Sequence, residues 1–178
     1  MTKRIAITPR PACEEDLDQV VAIEKYSNSP PWSKAAFAAE FQKTGSNFWV
    51  LTDDETDNIV YAYVVFSFPS EQAHIQSVAV KKEFRRQGYA VLLLRAVINY
   101  VLRKGGDSIV LEVRKNNIAA LALYQQLGFV VIHTIRAFYK DGEDAYSLIF
   151  RFNRSKAGPI DNDEDTEQTN EQQPKNIN

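Results

Sequence analysis

Cysteine is nearly missing from this chain. Cys13 stands alone, so no intramolecular disulfide is available and no thiol cluster offers a zinc site. Without a Cys-His context, Cys13 is not read as a covalent nucleophile either. No long apolar run is present, which argues against a signal peptide or a membrane-spanning helix and points to the cytoplasm. No charge of one sign dominates: the formal net charge is −2, which gives no nucleic-acid signature. Two common phosphate fingerprints are also missing, the Gly-Lys-Ser/Thr of a P-loop and the three spaced glycines of a dinucleotide site. No internal repeat is visible.

What is present fits one domain of 178 residues. A hydrophobic fraction of 44%, with 10 Phe, 8 Tyr and 2 Trp, is enough for a proper core. The charge is unevenly placed. Residues 155–178 carry Asp161, Asp163, Glu164, Asp165, Glu167 and Glu171 against Lys156 and Lys175, a net of −4, which leaves about +2 for residues 1–154. A mildly basic body suits an anionic cofactor. Beyond about Arg154 there is no periodicity and little apolar surface to offset chain entropy. Residues 155–178 therefore read as a disordered acidic tail, and residues 1–154 as the domain.

Along the domain, residues 4–8 alternate as a first strand, ended by Pro9 and Pro11. Glu14 to about Tyr26 has Leu17, Val20, Val21 and Ile23 at helical spacing. A loop follows, and Ser33 is placed to cap a helix from Lys34 to about Lys43. Residues 47–52, 59–68 and 74–81 read as an antiparallel meander. An apolar helix spans Tyr89–Arg103, its polar stripe Arg95, Asn99 and Arg103, so it is expected to be mostly buried. Residues 107–114 form a nearly unbroken apolar strand, expected to be central and covered on both faces. Asn116 or Asn117 caps a helix to Leu127, stopped by Gly128, and residues 129–135 and 144–152 are the last two strands.

Two stretches carry chemistry. The first is Val78-Ala79-Val80, a charged turn, then Arg85-Arg86-Gln87-Gly88-Tyr89-Ala90-Val91 opening the long helix. A helix start leaves N–H groups unpaired and bears partial positive charge, so it is suited to an anion. Gly88 permits close backbone approach, Ala90 is small, and two arginines add fixed charge. The alternative is an ordinary strand-to-helix turn with exposed arginines. The second stretch runs Leu111-Glu112-Val113-Arg114-Lys115-Asn116-Asn117 and on through Ala122-Leu123-Tyr124-Gln125-Gln126-Leu127-Gly128-Phe129. Asn117 and Tyr124 lie seven apart, on one helix face. Glu112 is the one acid in an apolar strand, a costly place unless it is solvated or paired. Partial burial would raise it toward the range useful to a general base, with an ion pair to Arg114 on the same strand face, or to another basic side chain, as the alternative. His74 and His133 have no partner pattern and read as structural.

The Arg-x-x-Gly-x-Ala turn resembles the pyrophosphate-binding turn of the GNAT superfamily of N-acetyltransferases, with Ala90 in place of the more frequent second glycine. Glu-Val-Arg-x-x-Asn and Ala-Leu-Tyr-x-x-Leu-Gly-Phe resemble the later half of the same superfamily, and within it the bacterial enzymes that acetylate the N-terminal alanine of a small-subunit ribosomal protein. Pro31-Trp32-Ser33 is similar to the family's loop between its first two helices, and residues 136–145, with Tyr139, to its last hairpin. The resemblance spans roughly residues 4–152. It implies an α/β (α+β) fold: a mixed central sheet of about seven strands, splayed in the middle and flanked by four helices. It implies acetyl-CoA as co-substrate, no metal, Glu112 as base and Tyr124 as acid. The cofactor would be held by Val78, Ala79 and Val80, by Arg85 to Val91, and by Asn117 and Tyr124. Trp32 and Tyr139 would wall the substrate site, with plain surface aromatics as the alternative. The expected acceptor is a protein N-terminus, with a small amine or a lysine side chain as the second reading and an idle acyl-CoA-binding module as the third. No membrane or direct nucleic-acid partner is expected, and the chain is expected to be a monomer or weak homodimer.

Overall fold

The computed structural model describes residues 7–53 and 59–153. The acidic tail expected over residues 155–178 lies outside them, as do residues 4–6 of the expected first strand.

Seven strands and four helices alternate in the expected order. They are β1 (Ile7–Pro11), α1 (Leu17–Lys25), α2 (Lys34–Glu40), β2 (Ser46–Asp53), β3 (Ala62–Ser67), β4 (Gln72–Val80), α3 (Tyr89–Arg103), β5 (Ser108–Arg114), α4 (Ile118–Gln126), β6 (Val130–Ile135) and β7 (Ala145–Arg151). The strands form one mixed sheet in the order β1-β2-β3-β4-β5-β7-β6. Every neighbouring pair is antiparallel except β4 and β5, which α3 joins by a crossover. No described helix is long and apolar enough to cross a membrane.

Several boundaries differ from the sequence expectation. Pro9 and Pro11 do not end β1 but belong to it, paired with Leu51 and Trp49. β1 is an edge strand, where a residue without N–H can face outward at no cost to the ladder. Glu14–Asp16 form a 3-10 turn, and α1 begins only at Leu17. α2 ends at Glu40 rather than near Lys43. α3 buries Leu93, Leu94, Val97 and Val101 but exposes Leu92 and Leu102, so one face is covered rather than most of the helix. In β5, Ile109, Leu111 and Val113 are buried while Val110, Glu112 and Arg114 are only partly covered, so its second face is open.

Two apolar clusters sandwich the sheet. On one face α3 packs with Ala62, Val64 and Phe66 of β3, Ala73 and Ile75 of β4, and the buried side of β5, joined by Tyr124 and Phe129. On the other, Leu17, Val20 and Ile23 of α1 and Phe37 of α2 cover Phe48, Val50, Tyr63, Val65 and Ala79. Phe37 is fully buried, with its ring 5.3 Å from both Trp32 and Tyr63.

The opening in the sheet comes from register. β4 and β5 pair only from Gln72–Ser108 to Ile75–Leu111. One residue further on, Gln76 is skipped in the pairing with β3, which passes from Phe66–Ile75 to Val65–Ser77. An extra residue bends its strand. β4 then continues to Val80 alongside β3 alone, while β5 continues to Arg114 alongside β7. The result is the expected splay between the two parallel strands.

Candidate active site

The splay is lined on each side by a different kind of chemistry. On the β4 side, Lys81 donates its backbone N–H to Tyr61 O on the β3 side. Strand residues alternate, so Ala79 and Ser77 turn the same way, and Val78 and Val80 turn their N–H groups toward the gap. Of the three residues expected to meet a cofactor here, Ala79 instead packs in the α1–α2 cluster.

The turn after β4 carries Gly88 as the N-cap of α3, in the left-handed region at φ 86°. No side chain caps the helix. A Cβ built on Gly88 would meet nothing within 4 Å. The glycine is thus demanded by backbone conformation and not by protein packing, and the space in front of the helix start is open. Arg86 shares the left-handed conformation at φ 64°. Arg85 departs from its expected role. Its guanidinium reaches back to Val80 O at 3.1 Å and across to Ser27 Oγ at 2.8 Å and Tyr26 O at 3.4 Å. It ties the turn to the α1–α2 loop instead of standing free for an anion.

On the β5 side, Glu112 does not pair with Arg114. Its Oε2 lies 2.6 Å from His74 Nε2. His74 sits opposite Val110, and Glu112 is two residues beyond on the same face, so the partial parallel register brings the two together. The sequence reads His74 as structural and without a partner pattern; the fold gives it Glu112 as its partner. The Glu112 hydrogen bond raises the imidazole above its ordinary value of 6.5, against burial, which lowers it. His133 lies on β6, exposed, as expected of a surface residue.

Arg114 serves a different purpose. Its Nη1 holds Asp141 Oδ2 at 2.8 Å and Glu143 Oε2 at 2.5 Å, while its Nη2 donates to Ser29 O. Its guanidinium carbon lies 3.9 Å from the Tyr139 ring centre. One side chain therefore joins the β6–β7 turn, Tyr139 and the α1–α2 loop at the mouth of the splay. Burial raises the Tyr139 phenol, with the Arg114 charge opposing and Glu112 adding to the rise.

Tyr124 approaches from the other face. It is 7% exposed and packs edge-on against Phe129 at 5.8 Å. Burial, and then the nearby Tyr139 phenol, hold its hydroxyl well above the ordinary tyrosine range, so it is protonated at neutral pH. Asn117 is the N-cap of α4, its Oδ1 accepting from Ala120 N at 3.1 Å. That spends the acceptor side of its amide, and what it can offer a ligand is the NH2 group. Trp32 is half-buried against Phe37, and its backbone N–H donates to Glu24 Oε1 at 2.9 Å. No group of acids, histidines and cysteines that could hold a metal occurs among the described residues.

A carboxylate–imidazole pair on the open face of β5, a buried protonated phenol in the α3-side cluster and an uncapped helix start after β4 are groups that acyl transfer can use. Residues 16–129 match the acetyltransferase (GNAT) family. The chain belongs to that family and is an acyltransferase. It is 33% identical over 154 residues to an N-alpha-acetyltransferase of Saccharolobus solfataricus, covering 79% of this chain and 90% of the relative. It is 35% identical over 126 residues to a ribosomal protein bS18-alanine N-acetyltransferase of Haemophilus ducreyi, covering 71% and 83%. The crystal structure of the ribosomal-protein-S18-alanine N-acetyltransferase from Escherichia coli superposes with a TM-score of 0.75 at 30% identity, covering 87% of this chain and 98% of that one.

Proposed function

We propose that this protein transfers acetyl from acetyl-CoA to the α-amino group of a protein N-terminus, with the N-terminal alanine of a small-subunit ribosomal protein as its acceptor. The observation that carries the reading is the His74–Glu112 pair, 2.6 Å apart on the open face of β5. It is supported by N-terminal acetyltransferases among the relatives at 33% and 35% identity.

The uncapped start of α3 from Gly88 to Val91, with Arg86 and Gln87, would hold the pyrophosphate, and the Asn117 NH2 group the pantetheine arm. The co-substrate supplies the acetyl group as a thioester. Val78 and Val80 turn N–H donors into the gap, where they suit negative charge growing on a carbonyl oxygen. An α-amine has a pKa near 7.7–8.0 and a lysine side chain near 10.4, so at pH 7.5 about a third of α-amines are neutral against roughly one lysine in a thousand. A chain terminus thus needs only modest help. As the new C–N bond forms and the C–S bond breaks, the proton lost by the amine passes to Glu112, directly or through water, with His74 as its partner. The Tyr124 hydroxyl gives its proton to the departing thiolate. The strap between α1 and α2, with Trp32, and the Arg114-held turn, with Tyr139, flank the approach of the acceptor.

The test is mass spectrometry of peptides incubated with acetyl-CoA and the protein: free N-terminal Ala, Ser and Met peptides, N-blocked lysine peptides, and spermidine. Acetyl on a free Ala or Ser terminus alone is the expected result. Acetyl only on lysine or spermidine refutes the N-terminal reading.

A further inference from the structure

Glu24 is a fully buried carboxylate that the chemistry above does not use. It accepts from Asn28 Nδ2 at 2.5 Å, from the Trp32 backbone N–H at 2.9 Å and from the Tyr63 hydroxyl. Tyr63 in turn lies 2.9 Å from Ser77 Oγ on β4, and Asn28 Nδ2 lies 3.4 Å from the same oxygen. None of these partners is positively charged. A buried carboxylate costs several kcal/mol unless it is fully hydrogen-bonded, and an apolar side chain of similar volume often serves stability as well. Packing alone therefore does not explain an acid here.

What the acid holds explains it better. Residues 26–32 form a strap over the mouth of the splay, and three side chains pin it from three directions. Arg85, beyond the end of β4, takes Tyr26 O and Ser27 Oγ. Arg114, at the end of β5, takes Ser29 O. Both of these arginine contacts are exposed, where ion and hydrogen-bond pairs contribute little. Glu24 is the one buried anchor of the three, and it grips the strap at two points, Asn28 and Trp32. Ser77, the far end of the network, directly precedes Val78, whose N–H faces the gap. The strap and the β4 edge are thus set relative to each other through one carboxylate.

We infer that Glu24 is a positioning residue for the acceptor: it fixes the strap, and through it the binding of the peptide, without touching the reacting atoms. This rests on the reading of the protein as an acetyltransferase with a peptide acceptor. Losing a hydrogen bond to a charged group costs about 1.5–3 kcal/mol, so Glu24→Gln is expected to raise the peptide KM by about tenfold or more. The turnover number and the acetyl-CoA KM are expected to stay within about twofold of wild type, the kinetic split that uniform loss of acceptor binding gives. Asn28→Ala is the second variant. Asn28 is exposed, outside the packed core, and its removal takes away one of the two strap contacts of the anchor while leaving Glu24 bonded to the Trp32 N–H and to Tyr63. It is expected to raise the peptide KM about threefold, in the same split. The experiment is steady-state kinetics of the full chain with an N-terminal alanine peptide and acetyl-CoA, each varied at saturating partner. Unchanged peptide KM in Asn28→Ala, or a fall in turnover that matches the rise in KM, overturns the inference alone. A wild-type protein that acetylates no peptide overturns the acetyltransferase reading and the inference with it.

Discussion

Replacing Glu112 by Gln tests the centre of the proposed chemistry with two readouts that answer to different causes. The substitution keeps the shape of a side chain that is mostly covered (19% exposed) and removes its charge and its basicity. A positioned general base contributes about 10²- to 10⁴-fold, so kcat/KM for an alanine peptide at pH 7.5 is expected to fall by at least about a hundredfold, roughly 3 kcal/mol of barrier. The second readout needs no substrate. The chain has only two histidines, so its imidazole titration shows two sets of signals, and His133→Gln assigns them. In the wild type His74 titrates above 6.5, because its hydrogen bond to Glu112 outweighs burial. In the Glu112→Gln variant the carboxylate charge is gone while burial, which favours the neutral ring, remains, so His74 is expected to titrate lower than in the wild type. The linkage sign follows. A raised histidine stabilises the fold at pH below its unfolded value and loses that contribution as pH rises through its folded value. The pH dependence of stability between about 6 and 8 should therefore flatten or reverse in the variant. A His74 signal that does not move refutes the pair. A moved signal with unchanged kcat/KM leaves the pair standing and refutes Glu112 as base.

Four further substitutions, Gly142→Ala among them as a control, separate chemistry, cofactor binding and packing. Tyr124→Phe is expected to slow turnover without abolishing acetyl-CoA binding, measured by calorimetry; unchanged turnover removes Tyr124 as the acid. Gly88→Ala forces a side chain into φ 86°, a strain of about 1–2 kcal/mol, and directs a Cβ into the open space before α3. Its acetyl-CoA KM should rise at least roughly fivefold, whereas Gly142→Ala, at φ 85° in the β6–β7 turn, should bear similar strain with that KM unchanged. Gly106→Ala would place a Cβ 2.3 Å from Val101 Cγ1 on α3 and 3.0 Å from the ring of Phe68, which packs against the same cluster, so thermal unfolding should show a loss of about 1–3 kcal/mol.

The fold is readable because its signals are local. The caps at Ser33 and Asn117 hold where the side-chain chemistry places them, accepting from Ala36 N and Ala120 N. The alternation of β2 to β4 produces a meander, and the crossover through α3 follows from a helix between two strands. The differences fall where burial depends on position in the sheet. The two prolines of Thr-Pro-Arg-Pro read as the end of a strand, whereas the strand runs through them because it lies at the edge of the sheet, where prolines are tolerated. The apolar run of β5 reads as a strand covered twice. One of its faces is instead left open beside the splay, and that is where Glu112 can stand without a lysine or arginine beside it.

The site is readable only in part, because its decisive pairings are set by register. His74 and Glu112 are 38 residues apart and meet because β4 and β5 pair for four residues and then part. No sequence period encodes that distance. Arg114 shares a strand face with Glu112, which makes it the natural partner by spacing. In the fold it is taken by Asp141 and Glu143 from a hairpin whose place in the chain is legible but whose direction is not. Arg85 shows the same limit from the other side: a basic residue in an anion-binding turn reads as an anion ligand until the α1–α2 loop is seen to occupy its guanidinium. Glu24 is the instructive exception. It falls seven residues after Leu17, on the buried face that Leu17, Val20 and Ile23 define. An acid at an apolar helix position is visible in the sequence alone, and its burial demands donors. That demand leads to Tyr63 and to the strap, which the proposed function sets beside the acceptor.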